Sequence, residues 1–118
     1  MKNAFCHIEI MTTNLKRAEK FYGDLFGWKI QSEIMGKYSL YETPQQPGGG
    51  IAEMPKVNPG DSIMVYVEVD DIPAYLKRAE GLGGKQATPK TDIPKIGWYG
   101  VLTDPDGNKM GLFTPLPK

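Results

Sequence analysis

The sequence predicts an α+β protein in which a β-α-β-β-β module occurs twice within 118 residues. Three observations carry this. A strand-like alternation leads into a capped helical stripe with a glycine stop, and the same series recurs with Asn14 falling on Asp71 and Leu15 on Ile72, an offset of 71 − 14 = 57. Three strand-like segments follow each helix. The Pro- and Gly-bearing stretch "PKVNPGD" separates the halves, placing the modules at about 1–57 and 61–118. A half of fewer than about 60 residues buries too little surface to be stable alone, so the two are expected to pack as one domain.

In the first module, "AFCHIEIMT" alternates Cys6, Ile8 and Ile10 with His7, Glu9 and Met11, the period of a strand with one face on a core. The apolar set is expected to meet the helix, with Cys6 in the core. "TNLKRAEKFYGDLFGW" then reads as a helix. Asn14, or Thr13 beside it, can cap a free backbone N–H. Leu15, Ala18, Tyr22 and Leu25 form the apolar stripe, with Lys16, Arg17, Glu19 and Lys20 on the wet face. Gly27 suits the left-handed residue that ends a helix. "WKIQSE", "KYSLYET" and "GGIAEMP" follow as strands.

The second module repeats this order. "SIMVYVEVDD" is rich in valine and isoleucine, as strands are. Asp70 or Asp71 offers the cap, and Pro73 is tolerated in the first turn. Ile72, Tyr75, Leu76, Ala79 and Leu82 form the stripe, and Gly83–Gly84 the stop. "KQATPK", "WYGVLTD" and "KMGLFTP" are the closing strands. The last two flank "DPDGN", whose Pro, Asp and Gly suit a tight turn and which lacks the spaced ligand series of a calcium loop. The pentapeptide "LKRAE" occurs at Leu15–Glu19 and Leu76–Glu80, an offset of 61. It is one helical turn out of step with the caps, so it reads as coincidence over the architectural repeat.

Fourteen basic and fourteen acidic residues balance, which gives no support for a nucleic-acid groove or an anionic membrane surface. One cysteine, Cys6, cannot form an internal disulfide and suits a reducing compartment. The sequence shows neither a signal-peptide pattern nor an apolar run of about 18 residues. A cytoplasmic protein with no nucleic-acid or membrane partner is expected.

Paired β-α-β-β-β modules, with "HIEIMTTNLKRAEKFYGDLFGWKI", "VYVEVDDI" and "DPDGNKMGLF", resemble the vicinal oxygen chelate superfamily of glyoxalases, bleomycin-resistance proteins and extradiol dioxygenases. The resemblance covers nearly the whole chain. It implies a curled mixed sheet around a cup with the helices outside, a small-molecule ligand in the cup, and a homodimer. His7, Glu9 and Met11 would face the cup from the first strand, with Met64, Tyr66 and Glu68 as their counterparts.

Metal-dependent members hold a divalent cation with His and Glu side chains from equivalent strands. Here His7 takes the first such position, Met64 its counterpart, and Gly111 the final-strand position where the family carries Glu. A thioether is a soft ligand and glycine brings none. The fourth position falls in "GGGIAEMP", on Ile51 or Glu53. The expectation is no cofactor and no complete metal site. The alternative is a divalent metal held unusually by His7 and Glu53 in a lyase or dioxygenase.

His7, Glu9 and Glu68 are the catalytic candidates, since an imidazole beside a carboxylate can move a proton near neutral pH. The candidate ligand-binding set is His7, Met11, Tyr38, Met64, Tyr66, Trp98 and Phe113, aromatic and sulfur-bearing groups suited to a small, largely apolar molecule. Each of the apolar ones equally suits plain core. Arg17 and Arg78, the only arginines, lie on wet helix faces, which counts against a glutathione-conjugate site. Metal-free small-molecule binding leads. An enzyme with a reduced metal site, and a protein-interaction role with the cup filled by its own side chains, stand as alternatives.

Overall fold

The computed structural model describes residues 2–32 and 36–117. The chain runs β1 (Phe5–Thr12), α1 (Leu15–Phe26), β2 (Lys29–Gln31), β3 (Tyr38–Glu42), β4 (Gly49–Glu53), β5 (Ile63–Glu68), α2 (Ile72–Gly81), β6 (Lys85–Ile93), β7 (Gly97–Thr103) and β8 (Lys109–Pro115). Both modules are therefore β-α-β-β-β. Two compact units result: Cys6–Met64, and Val65–Lys118 together with Met1–Phe5. The first residues thus belong with the second unit, a departure from the sequence reading. Backbone hydrogen bonds hold them there, from Asn3 N to Glu68 O (2.6 Å) and from Glu68 N to Ala4 O (2.9 Å).

In the first unit the strand order is β2-β3-β4-β1, and in the second β5-β8-β7-β6. In each, the first and last strands of the module pair in parallel and the remaining neighbours antiparallel.

The helices start where the caps predict. Asn14 accepts from Arg17 N and Asp71 from Ala74 N, both residues in extended backbone with φ −149°. Each side chain thereby satisfies one of the N–H groups a helix start leaves open. Gly27 closes α1 at φ 71°, in the left-handed region that disfavours a side chain.

The core of the first unit is Ile10, Leu15, Ala18, Tyr41 and Ile51, with Tyr22, Trp28 and Ile30 packed against it. Trp28 lies between Tyr22 and Tyr41, stacked at centroid distances of 5.5 and 4.6 Å. The core of the second unit is Val69, Ile72, Leu76 and Leu112. No helix among the described residues is long and apolar enough to cross a membrane.

Three helix positions differ from the sequence reading. Leu25 and Leu82 are exposed, because each lies in or beyond the last turn, past the reach of its sheet. Glu19, expected on the wet face, keeps only 11% of its side chain exposed. It turns in to accept a hydrogen bond from the fully buried Ser39 hydroxyl of β3. Glu80, at the same place in the second "LKRAE", is exposed.

The strand registers show why two offsets coexist. Through strand and helix the modules match at 57. In the paired strands that follow, Tyr38↔Ala52 corresponds to Tyr99↔Phe113, an offset of 61. The four extra residues lie between α2 and β7, where β6 is long and its register shifts twice.

Candidate functional site

Strand register assigns each side chain in the first unit to a face. Glu9 pairs with Gly50, Ile10 with Ile51, Leu40 with Gly50, and Gln31 with Leu40. Ile10, Ser39, Tyr41, Ile51 and Glu53 therefore share the face covered by α1. His7, Glu9, Met11, Lys29, Gln31, Tyr38, Leu40 and Glu42 share the other.

On that second face three predicted residues meet. The Tyr38 hydroxyl donates to Glu9 Oε1 (2.8 Å), and His7 Nε2 lies 2.8 Å from the same oxygen and 3.1 Å from the Tyr38 hydroxyl. The carboxylate collects donors from both neighbours when Nε2 carries the imidazole proton. His7 and Glu9 are half-buried, with 28% and 19% of their side chains exposed.

The backbone beneath this cluster must be glycine for it to form. A Cβ at Gly50 would stand 1.8 Å from the Tyr38 hydroxyl oxygen and 2.9 Å from Glu9 Oε1. The second unit repeats the device. Tyr66 pairs with Gly111, and a Cβ there would stand 2.4 Å from the Tyr66 ring. Since 9 + 57 = 66, Gly50 is the register counterpart of Gly111. The fourth metal position of the resemblance thus falls on Gly50, one residue before Ile51 and on neither of the two residues, Ile51 and Glu53, that the sequence offered.

Glu53 is not brought to His7. It lies on the α1 face, where Oε1 accepts from Leu15 N (2.9 Å) at the helix start and Oε2 lies 3.8 Å from Lys37 Nζ. Its role is to cap a helix with a charge favourable to the dipole. Glu53→Ala is expected to lower stability by about 1 kcal/mol, read by urea denaturation, and to leave any divalent-cation affinity where it was.

The family's four metal positions therefore hold one imidazole, one thioether and two glycines whose space is taken by tyrosines. Among the described residues there is no group of three or more His, Cys, Asp or Glu placed to hold a metal ion. These residues do not fit the octahedral or tetrahedral oxygen/imidazole site that such a cation requires.

A cavity of about 410 Å³ opens at the end of the first unit's sheet, where β1 and β4 begin and β3 ends. His7 contributes to its wall together with Lys29, Gln31, Leu40, Glu42 and Gln46. Cys6 also reaches this wall and is half-buried, where the sequence placed it in the core; it lies at the start of β1, the end of the strand that borders the cavity.

Of the predicted ligand-binding set, His7 alone lines the cavity. Tyr38 stands behind it in the hydrogen-bonded cluster, and Met11 lies on the same face. Met64 is half-buried on β5, and Tyr66 and Phe113 share a face of the second unit's sheet with Gly111. Trp98 is a correction. Its strand partner register puts it on the α2 face, packed against the Val69–Ile72–Leu76–Leu112 core with Lys90 Nζ 4.6 Å from its ring. Glu68 pairs with Phe113 across β5 and β8 in the second unit. Lys29, Gln31, Glu42 and Gln46 were not singled out by the sequence, because polar residues on a short edge strand, at a strand end and in a loop read as ordinary solvent-facing groups.

Tyr41 supports the cavity wall from the α1 side. It is 4% exposed, and its hydroxyl donates to Ile8 O (2.8 Å). Burial first, then the negative charge of Glu9, pushes its phenol up from 10.0 to about 12. Below about pH 10 both folded and unfolded chains keep this proton and the contribution is whole. Between about pH 10 and 12 only the unfolded chain loses it, so stability falls as pH rises, by up to roughly 3 kcal/mol. Denaturant titrations at rising pH are expected to show this slope, and Tyr41→Phe to flatten it.

Residues 4–112 match the family described as the Glyoxalase/Bleomycin resistance protein/Dioxygenase superfamily. A glyoxylase-like domain-containing protein of Didymella fabae is 30% identical over 115 residues, covering 91% of this chain and 90% of that protein. Proteins of Mycobacterium bovis and Mycobacterium tuberculosis, both bearing the provisional name glyoxylase CFP32, are 31% identical over 113 residues; the chain spans 43% of their length. Among solved structures, methylmalonyl-CoA epimerase from Mycobacterium tuberculosis superposes with a TM-score of 0.73 at 17% identity, covering 96% of this chain and 88% of that one. The Mn(II)-bound glyoxalase from Novosphingobium aromaticivorans gives 0.67 at 14% identity, over 96% of this chain and 39% of that one. Paired modules, the matched span and relatives of this identity agree: the chain belongs to the glyoxalase/bleomycin resistance protein/dioxygenase superfamily.

Proposed function

We propose that this chain binds a small molecule in the cavity beside His7, without the complete metal site of the family's metal-dependent members. The observation that carries this reading is the pairing of a cavity of about 410 Å³ with glycine at both positions, 50 and 111, where carboxylate ligands would be needed. The volume falls in the range of roughly 300–1,000 Å³ common for small-molecule sites. His7, fixed by Glu9 and Tyr38, supplies an oriented hydrogen-bonding group at the wall, which is how such sites set the pose of a ligand. The apolar ligand expected from the sequence gives way to one with polar groups, since Lys29, Gln31, Glu42 and Gln46 share the wall with Leu40 and Tyr41.

The test has two parts. Chelator-treated protein is titrated with manganese, nickel and zinc by calorimetry, beside His7→Ala; no stoichiometric binding is expected in either. A thermal-shift screen of neutral and charged small molecules then seeks ligands whose affinity falls by about tenfold in His7→Ala. Stoichiometric metal binding that disappears in His7→Ala would overturn the metal-free reading.

A further inference from the structure

The cavity wall carries a second pattern. Lys29 of β2 and Glu42 of β3 are register partners, opposite charges side by side on one sheet face, and both line the cavity. Such cross-strand pairs ordinarily close on each other. Here, among the described residues, neither Lys29 nor Glu42 takes part in an ion pair, although Lys20–Asp24 and Lys37–Glu53 do. Both heads are solvent-accessible at the mouth. Leu40 lies on the same face one pair further in, opposite Gln31.

An ammonium, a carboxylate and an apolar floor in that order complement one kind of molecule. We propose that the cavity receives a free α-amino acid with an apolar side chain, its carboxylate on Lys29, its ammonium on Glu42 and its side chain against Leu40. This inference rests on the reading of the cavity as a binding site. Charge-assisted hydrogen bonds at both ends of the ligand give orientation as well as affinity. Gln31 and Gln46, each with donor and acceptor capacity, flank the same head group.

The experiment is a calorimetric titration of the whole chain with L-phenylalanine and L-leucine, and with two blocked forms, N-acetyl-L-phenylalanine and L-phenylalanine methyl ester. The free amino acids are expected to bind at least about tenfold more tightly than either blocked form. Lys29→Gln is expected to erase the preference over the ester, and Glu42→Gln the preference over the acetyl form. Both positions are exposed, so the variants should fold, as checked by circular dichroism. Equal binding of free and blocked forms overturns the inference and leaves the cavity reading standing. The same division follows if only neutral molecules bind in a His7-dependent way. If no compound of either panel binds, both readings fall together.

Discussion

Gly49→Ala is expected to destabilise the chain by at least about 4 kcal/mol, at the severe end for one substitution. A Cβ at this residue would stand 1.8 Å from the Ile8 carbonyl oxygen, 2.7 Å from the Ile8 carbonyl carbon and 2.7 Å from the Tyr41 hydroxyl. Two of those atoms are backbone of the paired strand, since Gly49 is the register partner of Ile8, and cannot swing aside as a side-chain tip can. Relief requires β1 and β4 to separate. That breaks the Tyr41–Ile8 hydrogen bond and opens the wall of the cavity, to which Gly49 contributes. Gly81→Ala is the control: it has open space at its Cβ, no left-handed backbone and a helical setting. There the substitution should be neutral or stabilise by about 0.5–1 kcal/mol. A urea midpoint for Gly49→Ala equal to that of the parent would mean that the β1–β4 register is wrong.

The second large effect is expected at Ile51, which is 0% exposed and central to the first unit's core. Ile51→Ala should cost about 3–4 kcal/mol, the transfer energy of the lost carbons plus a cavity the rigid neighbours cannot fill. Ile51→Val should cost about 1 kcal/mol. The neighbours are pinned: Tyr41 is stacked on Trp28 and hydrogen-bonded to β1, and Leu15 is held at the start of α1 by Glu53. Equilibrium denaturation of the two variants gives the ratio. A loss under about 1 kcal/mol for alanine would show that this core collapses freely and is not close-packed.

The helices and the modular plan were legible because their signals are local. An Asn or Asp before an apolar stripe has one cheap use, to accept from a free N–H, and both caps formed where the sequence places them. The site was less legible. "GGGIAE" contains three consecutive glycines, so alternation offers no handle on which residue faces which way. The register that puts Gly50 opposite Glu9 and Glu53 on the helix side is set by pairing partners 41 residues away. "WYGVLT" is apolar on both faces, so Trp98 could not be assigned to one side by periodicity, and its helix contact decided it. The His7–Glu9–Tyr38 cluster was half visible. The alternation of β1 places His7 with Glu9, but the Tyr38 hydroxyl reaches them only because Gly50 leaves room.

The parallel pairing within each module has a kinetic consequence. Ile10 meets Ile51, 41 residues on, and Tyr66 meets Gly111, 45 residues on. No short turn can join such strands, so loop-closure entropy must be met before the pairing yields any contact energy. The helix and the β3–β4 pair can form early from near neighbours, whereas the central ladder waits. The chain should therefore refold in the millisecond-to-second regime of topologies with many distant contacts. During synthesis, β1 has no partner in its own module until β4 has left the ribosome, and in that interval an edge of "CHIEIM" is open to other chains.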